Sequence, residues 1–362
     1  GFPQLALKYC LEAVGRSLAD IDCVVVNEYE QTDHALRLDR ELADHTVVVR
    51  NPSHHHLHAT YAATASGFTD AAVLIVDGSG YSYGEYAQNG SELLGPEPGD
   101  WRMEEAESQF VLIDGRLELV SKRWGLWEAS DPYYRFPSLG HMFAVASQYI
   151  FGHMSHAGKT MGLAPYGDPD ALGLEIVGCD GDTLTIDTEW ILGLPPRSDR
   201  PAIDDQVSRD LAATVQRELE RGMLFLADRI GSATGSRRLC VAGGVALNSV
   251  ANGMIARSGR FDEVFVTPAA GDSGVAVGAA LLGHERLGGS PRRWAGFTDF
   301  LGRDHGPTSV HEALDAAGRA GTWEHLGADA PRGAAEELVA GGGIARVRGR
   351  RRLRPAPRRA RR

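Results

Sequence analysis

Segments with helical periodicity alternate with short apolar runs in the first part of the chain. Residues 5–14 have the apolar spacing of an amphipathic helix, and residues 21–27 have the composition of a buried strand. A second strand-like run, residues 72–76, ends at Asp77. Three later segments alternate polar and apolar residues, which predicts antiparallel strands. They are residues 83–86, 110–113 and 117–120, with turns at Asn89-Gly90 and Asp114-Gly115.

The second half of the chain repeats the alternation of helix and strand. A helix is predicted after Leu139-Gly140-His141, through Phe151, and a longer one over residues 205–230. Strand 239–242 then ends in Gly243-Gly244. The remaining predicted elements are a helix over 246–257, a strand over 263–266 and a small-residue helix through Leu282. This order predicts an α/β fold. We divide it into a first lobe (1–125), a connecting region (126–200), a second lobe (201–344) and a tail (345–362).

Composition narrows the class of protein. The 362 residues are 43% hydrophobic with a net charge of −11, and no apolar run is long enough to cross a membrane. Four scattered cysteines form no CxxC pair, which favours a reducing, cytoplasmic setting.

Residues 346–362 hold ten of the 37 basic residues and no acid. We expect this Arg-rich tail to be an out-of-frame translation of GC-rich DNA and not a nucleic-acid-binding arm.

Four histidines within five residues are the strongest chemical signal in the sequence. His54 and His58 are one helical turn apart, so both rings lie on one face of a helix and can bind one divalent ion. Asp77 is the expected third ligand. Asp272, which lies in a glycine-rich turn, is the expected fourth ligand. The alternative is that these residues have structural roles. The imidazoles would then be solvated or hydrogen-bonded to the backbone, and Asp272 would cap a helix.

Two glycine-rich turns follow predicted strands, at residues 241–248 and 271–278. Such turns bring backbone N–H groups close to phosphate, although glycine pairs also serve tight turns and close packing. Gly158-Lys159-Thr160 lacks the preceding glycine and strand of a Walker A loop, so Lys159 is either a phosphate contact or a surface lysine. The candidate contacts to a nucleotide or phosphate are Lys159, Gly243, Gly244, Asn248, Gly271 and Ser273.

Several motifs, taken in order over about residues 1–344, resemble one enzyme family. They are Gly1-Phe2-Pro3 with the Cys10 helix, His54-His55-x-x-His58-Ala59, residues 74–78, residues 158–167, residues 241–248 and the Asp272 loop. The family is the O-carbamoyltransferases of antibiotic biosynthesis and nodulation-factor modification. Its N-terminal domain is similar to the tRNA threonylcarbamoyl-transferases, which implies two ribonuclease-H-like lobes of the sugar-kinase/actin-like superfold.

The resemblance also implies a chemistry. Carbamoyl phosphate and ATP give a carbamoyl-adenylate, and the carbamoyl group then passes to a hydroxyl of a small acceptor such as an antibiotic. An iron-type ion, Fe²⁺, is implied at His54, His58, Asp77 and Asp272. His55 and His141 are candidates for the general base. No nucleic acid or membrane is expected as a partner. The chain lacks the family's opening strands and its smaller second domain, so we expect a fragment that is inactive in the overall reaction.

Other functions remain open. An ATPase or kinase of the same superfold would explain the glycine turns but would give the His54/His58 pair no role. A metalloprotease requires HExxH, and here His55 replaces the glutamate that would act as the base. A truncated, non-catalytic remnant is the alternative outside enzymes.

Overall fold

The computed structural model describes residues 4–27, 46–50, 52–130, 133–290, 301–302, 307–318, 324 and 326–344. The chain divides into two compact units, Gly1–Phe297 and Thr298–Arg362. Within the second unit, the structure describes the helices Pro307–Ala316 and Ala330–Val339. The Arg-rich tail, residues 345–362, lies outside the described residues.

The first unit contains helices and strands in alternation, as the periodicity predicts. Its described helices are Gln4–Val14, His54–Ser66, Tyr83–Gln88, Leu139–Phe151, Ala157–Leu163, Gln206–Thr234, Ser249–Arg257 and Val275–Arg286. Its described strands are β1 (Cys23–Val26), β2 (Val47–Arg50), β3 (Ala71–Val76), β4 (Glu104–Ile113), β5 (Arg116–Gly125), β6 (Glu128–Ser130), β7 (Tyr133–Arg135), β8 (Val177–Asp180), β9 (Thr183–Ile186), β10 (Arg238–Ala242) and β11 (Glu263–Val266). The predicted α/β class is confirmed.

A five-stranded mixed sheet organises this unit. The strand order is β11-β10-β3-β4-β5, in which β10 runs parallel to both β11 and β3. The pairs β3–β4 and β4–β5 are antiparallel. Three two-stranded sheets accompany it, β1–β2, β6–β7 and β8–β9. The central sheet thus joins strands from the region that the sequence assigned to the first lobe with strands from the region assigned to the second.

Strand β3 lies in the middle of the sheet, and all six of its residues are buried. Because side chains alternate across a strand, Leu74 and Val76 face one core and Val73 and Ile75 face another. The first core contains residues of the helices Leu139–Phe151 and Gln206–Thr234, and the second contains Ala59, Ala62 and Ala63. These alanines lie on the helix His54–Ser66, which we call the histidine helix. Their small side chains allow the histidine helix to lie close to the sheet.

One secondary-structure prediction was wrong. Residues 83–86 lie in the helix Tyr83–Gln88 and not in a strand. Ser82 caps this helix by accepting a hydrogen bond from the Glu85 N–H at 3.3 Å, and the Tyr86 ring is fully buried. The capping bond and the anchored ring outweigh a period-two pattern of only four residues. The hairpin over residues 110–120 is confirmed, and Asp114 (φ 50°) and Gly115 (φ 80°) make its turn.

Candidate metal centre

The histidine helix brings two imidazoles together. Ser53 caps the helix by accepting a hydrogen bond from the His56 N–H, and the helix then runs unbroken to Ser66. His54 and His58 therefore lie one turn apart on one face, with ring centroids 4.7 Å apart and ring planes at 87°. Their Nε2 atoms are 3.2 Å apart, and both side chains are buried. The Nε2 atoms of the two rings therefore face the same point.

Asp77, the residue after β3, faces both imidazoles. Its Oδ2 lies 3.2 Å from His54 Nε2 and 3.1 Å from His58 Nε2. Its Oδ1 accepts hydrogen bonds from the Gly78 N–H at 2.8 Å and the Gly244 N–H at 3.0 Å. One carboxylate oxygen is thus held by the backbone, while the other is directed at the histidines.

Asp272 is the fourth member of the group. It begins the short turn Asp272–Gly274, and its Oδ1 lies 3.5 Å from His54 Nε2 and 3.9 Å from His58 Nε2. Its side chain is 81% exposed, whereas that of Asp77 is 10% exposed. The structure thus brings together His54, His58, Asp77 and Asp272, whose ligand atoms all lie within 4.8 Å of one another.

This donor set fits a divalent transition metal. Metal–nitrogen and metal–oxygen bonds of about 2.1 Å separate neighbouring ligand atoms by roughly 3.0–3.4 Å. The contacts among His54 Nε2, His58 Nε2 and Asp77 Oδ2 measure 3.1–3.2 Å. Two imidazoles with two carboxylates and no thiolate suit iron or a similar borderline ion. The spacing of His54, His58 and Asp77 therefore fits such an ion, whereas Asp272 Oδ1 lies farther away, at 3.5 and 3.9 Å from the two imidazole nitrogens.

Opposite charges dominate the electrostatics of the cluster. Burial alone would lower the pKa of His54, but hydrogen bonds to Asp272 and Asp77 and their negative charges raise that pKa to about 10. Burial alone would raise the pKa of Asp77, but the hydrogen bonds and charges of His54 and His58 hold it well below its usual range. The cluster thus favours a positive charge between the carboxylates.

Asn27 is a contributor that the sequence reasoning did not single out. Its Oδ1 lies 3.3 Å from His54 Nδ1, and its Nδ2 donates to the Pro52 carbonyl oxygen at 3.0 Å. A partner on the far nitrogen orients a metal-binding imidazole. The only signal in the sequence was an amide side chain at the end of the predicted strand over 21–27.

The two histidines suggested as general bases lie in other surroundings. His55 is fully buried, its Nδ1 is 2.8 Å from Ser108 Oγ, and burial lowers its pKa to about 3. His141 Nε2 is 2.7 Å from the Tyr134 carbonyl oxygen, and burial lowers the pKa of this ring as well. Both are neutral imidazoles packed within the protein.

The first glycine turn lies directly behind Asp77. Gly243 has φ +94°, and a Cβ there would lie 2.2 Å from the Val76 carbonyl oxygen. A Cβ on Gly244 would lie 2.7 Å from Asp77 Oδ1. Asn248 caps the helix Ser249–Arg257 and exchanges two hydrogen bonds with Gln216. These close approaches require glycine and support Asp77.

The remaining suggested contacts lie in two places. Gly271 and Ser273 flank Asp272, and the Ser273 Oγ is buried without a hydrogen-bond partner. Lys159 is exposed on the helix Ala157–Leu163, with its ammonium 5.5 Å from the centre of the Phe151 ring. Among the described residues, no helix has the length and apolar character needed to cross a bilayer.

Several known proteins are similar in sequence to this chain. Residues 197–281 match the family model of the carbamoyltransferase N-terminus. Nodulation protein NolNO of Sinorhizobium fredii is 29% identical over 325 residues, which are 80% of this chain and 43% of that protein. Nodulation protein NolO of Bradyrhizobium diazoefficiens is 32% identical over 246 residues, which are 65% of this chain and 39% of that protein. The chain therefore spans less than half the length of these relatives.

A solved structure shares the fold. It is that of full-length HypF in a phosphate- and nucleotide-bound form, with a TM-score of 0.50 and 15% identity over 79% of this chain and 51% of that one. At this identity the likeness concerns the fold alone. The matched family model shows that the chain contains a carbamoyltransferase N-terminal domain, and the relatives show that it is similar in sequence to the nodulation proteins NolNO and NolO.

Proposed function

We propose that the protein transfers a carbamoyl group from a carbamoyl-adenylate, made from carbamoyl phosphate and ATP, to a hydroxyl of a small acceptor. The observation that carries the proposal is the convergence of His54, His58, Asp77 and Asp272 in a chain of this family. The proposed acceptors are small molecules with a free hydroxyl, such as a sugar or an antibiotic. The protein as a whole would act in the cytoplasm.

The topology supports the proposed superfold. Three consecutive strands, β3, β4 and β5, form an antiparallel meander, and β10 and β11 extend it in parallel on the β3 side. This is the strand order of a ribonuclease-H-like lobe. We therefore propose that residues 71–286 form most of one lobe and that β1, β2 and the preceding helix belong to the other.

The four clustered residues would hold the ion, which we propose to be Fe²⁺. When bound, such an ion acts as a Lewis acid toward a carbonyl oxygen. Asp77 is already held by two backbone N–H groups, so the protein has fixed one ligand before any ion or substrate arrives. Preorganisation of this kind reduces the cost of ordering the site when the substrate binds.

The chain's own residues would orient the two reactants. The turns at Gly243-Gly244 and Gly271–Ser273 border Asp77 and Asp272, and we propose that their backbone approaches the adenylate phosphate. The HypF structure, which shares the fold, was solved with phosphate and nucleotide bound, and this supports a nucleotide as the class of ligand. Asn248 and Lys159 stay predictions as nucleotide contacts, because Asn248 is engaged by Gln216 and Lys159 lies over Phe151.

The transfer itself needs a base. The acceptor oxygen bonds to the carbamoyl carbon, the bond from that carbon to the phosphate oxygen breaks, AMP leaves, and the hydroxyl proton moves to a base. Burial lowers the pKa of His55 and of His141, so each ring is neutral, but the same burial disfavours the protonated form that a base must reach. His55 is the nearer to the cluster, with its ring centroid 6.2 Å from that of His54. Both histidines stay predictions for this role.

One assay tests the proposal against its alternatives. The full chain, reconstituted with Fe²⁺, is given carbamoyl-adenylate and a panel of sugar and antibiotic alcohols, and AMP release and carbamate esters are followed by mass spectrometry. We expect both products, and neither with Asp77→Asn. ADP formed from ATP alone would indicate a kinase or ATPase, and no turnover by a metal-loaded chain would indicate a non-catalytic remnant.

A further inference from the structure

A buried polar network lies beside the candidate metal centre, and none of its members is a proposed ligand. It consists of Ser53, Tyr86, Glu105 and Lys122, which come from the histidine helix cap, the helix Tyr83–Gln88, β4 and β5. The side chains of Glu105 and Lys122 are 0% and 1% exposed. A buried ion pair carries a large desolvation penalty, so its presence here calls for a physical reason.

The network satisfies the first turn of the histidine helix. The His54 N–H donates to Tyr86 Oη at 3.0 Å, and the His55 N–H donates to Glu105 Oε2 at 3.2 Å. The Ser53 hydroxyl accepts from the His56 N–H and donates to Glu105 Oε1 at 2.5 Å. The first N–H groups of a helix have no partner within it. Here three of them are fixed by the network, which sets where the helix begins and how it is rotated.

The same network fixes the loop that follows Asp77. Tyr86 Oη also accepts from the Tyr81 N–H at 2.8 Å, and the Glu105 carbonyl oxygen accepts from the Gly80 N–H at 2.8 Å. A Cβ on Gly80 would lie 2.4 Å from Glu105 Oε2, so the loop approaches the carboxylate closely. Tyr86 and Glu105 thus contact both segments that carry the buried ligands, the histidine helix and the loop after Asp77.

The two charged side chains of the network, Glu105 and Lys122, are paired with each other. Glu105 accepts from the Tyr86 hydroxyl at 2.6 Å, from Ser53, from the His55 N–H and from the Lys122 ammonium. Lys122 also donates to Ser53 Oγ at 3.2 Å and lies 5.2 Å from the centre of the Trp124 ring. With every strong donor and acceptor engaged, the network is rigid.

We propose that Tyr86, Glu105 and Lys122 are positioning residues that hold His54, His58 and Asp77 in a metal-binding arrangement before an ion binds. This inference rests on the metal centre proposed above. Residues that orient metal ligands without touching the metal typically affect affinity by about 10–100-fold. We therefore expect loss of a network contact to weaken metal binding.

The test measures metal affinity by titration with Co²⁺, whose visible spectrum also reports ligand geometry. Tyr86→Phe removes only the hydroxyl, and we expect its Co²⁺ dissociation constant to rise by about tenfold or more with an altered spectrum. The matched control is Tyr149→Phe, which removes another buried hydroxyl, one that donates to the Pro195 carbonyl oxygen at 2.8 Å. The control should keep the wild-type affinity and spectrum. An unchanged constant in folded Tyr86→Phe, or an equal rise in the control, would overturn the proposal.

A second measurement needs no variant. Hydrogen–deuterium exchange of the metal-free wild-type protein should show slow exchange of the His54, His55 and Tyr81 amides. Fast exchange that becomes slow only after Co²⁺ is added would mean that the ion orders the site, against the proposal. Failure of the metal centre itself is distinguishable, because wild-type protein would then bind no Co²⁺ while these amides remained protected.

Discussion

The two aspartates of the candidate metal centre are presented in different ways. Asp77 is buried at the end of the central strand β3, and two backbone N–H groups hold its Oδ1. Asp272 is on a turn, its side chain is 81% exposed, and its distances to the two imidazoles are longer. The difference separates a ligand that the fold has already placed from one that meets solvent and arriving molecules. We infer that Asp77 contributes strongly to both folding and metal binding, whereas Asp272 contributes mainly to binding.

The backbone behind each aspartate sharpens this contrast. Gly243 and Gly244 press against β3 and Asp77, so the Asp77 carboxylate has little freedom. The Asp272 turn is anchored at its backbone, because a Cβ on Gly278 of the following helix would lie 2.0 Å from the Leu57 carbonyl oxygen. The helix that follows the turn is therefore packed on the histidine helix, while the Asp272 side chain is largely exposed.

The largest effect is expected for Asp77→Asn. The change removes the negative charge that faces the buried His54, whose pKa is raised to about 10, and leaves that imidazolium without its buried partner. We expect the metal-free protein to lose about 3 kcal/mol of unfolding free energy. We also expect no detectable bound metal by elemental analysis. Denaturant unfolding provides the first measurement.

The control for this variant is Asp262→Asn, which removes a carboxylate from the exposed pair with Arg237. Exposed pairs contribute little to stability, so its unfolding midpoint should match that of the wild type. If Asp77→Asn were as stable as this control, Asp77 would not contribute to folding, and the inferred contrast between the two aspartates would be wrong.

Gly244→Ala tests whether the glycine turn positions Asp77. The new Cβ would lie 2.7 Å from Asp77 Oδ1, so the carboxylate or the turn must move. We expect a loss of about 1–2 kcal/mol in unfolding free energy from this overpacking. Co²⁺ affinity should fall by about tenfold, because the carboxylate no longer faces the imidazoles correctly.

Gly193→Ala is the matched control, since a Cβ there meets nothing within 4 Å. It should leave both stability and Co²⁺ affinity unchanged. If Gly244→Ala lowered neither quantity, the turn would not be supporting Asp77, and its glycines would be free for the phosphate role suggested by the sequence.

Local signals in the sequence pointed to three of the four clustered residues, His54, His58 and Asp77, whereas Asp272 was suggested because such a site needed a fourth ligand. The spacing of His54 and His58 follows from helix geometry, and Asp77 follows directly from a strand made of consecutive apolar residues. The family resemblance, which rests on short motifs, was confirmed by the matched relatives. The α/β class followed from the alternation of periodicities.

The supporting residues were not predictable in the same way. Glu105 lies 52 residues from Ser53 and 17 from Lys122, so only the strand pairing of β4 with β5 and the placement of the histidine helix bring them together. The four-residue pattern at 83–86 misled because its outcome depended on the Ser82 cap and on the contact between Tyr86 and Glu105. A period-two pattern carries no information about such contacts.

The smallest structural effect is expected for Asp272→Asn. The amide keeps an oxygen at the same position but removes the negative charge, so Co²⁺ affinity should fall by about tenfold. The unfolding midpoint of the metal-free protein should fall much less than in Asp77→Asn, because the Asp272 side chain is largely exposed and its interaction with His54 is screened by solvent. Titration at low and high salt adds a second criterion: screening weakens exposed charges most, so the difference in affinity between wild type and Asp272→Asn should shrink as salt increases. A stability loss equal to that of Asp77→Asn, or a difference that is insensitive to salt, would mean that Asp272 is held within the folded site as firmly as Asp77. The two aspartates would then have the same role despite their different exposure.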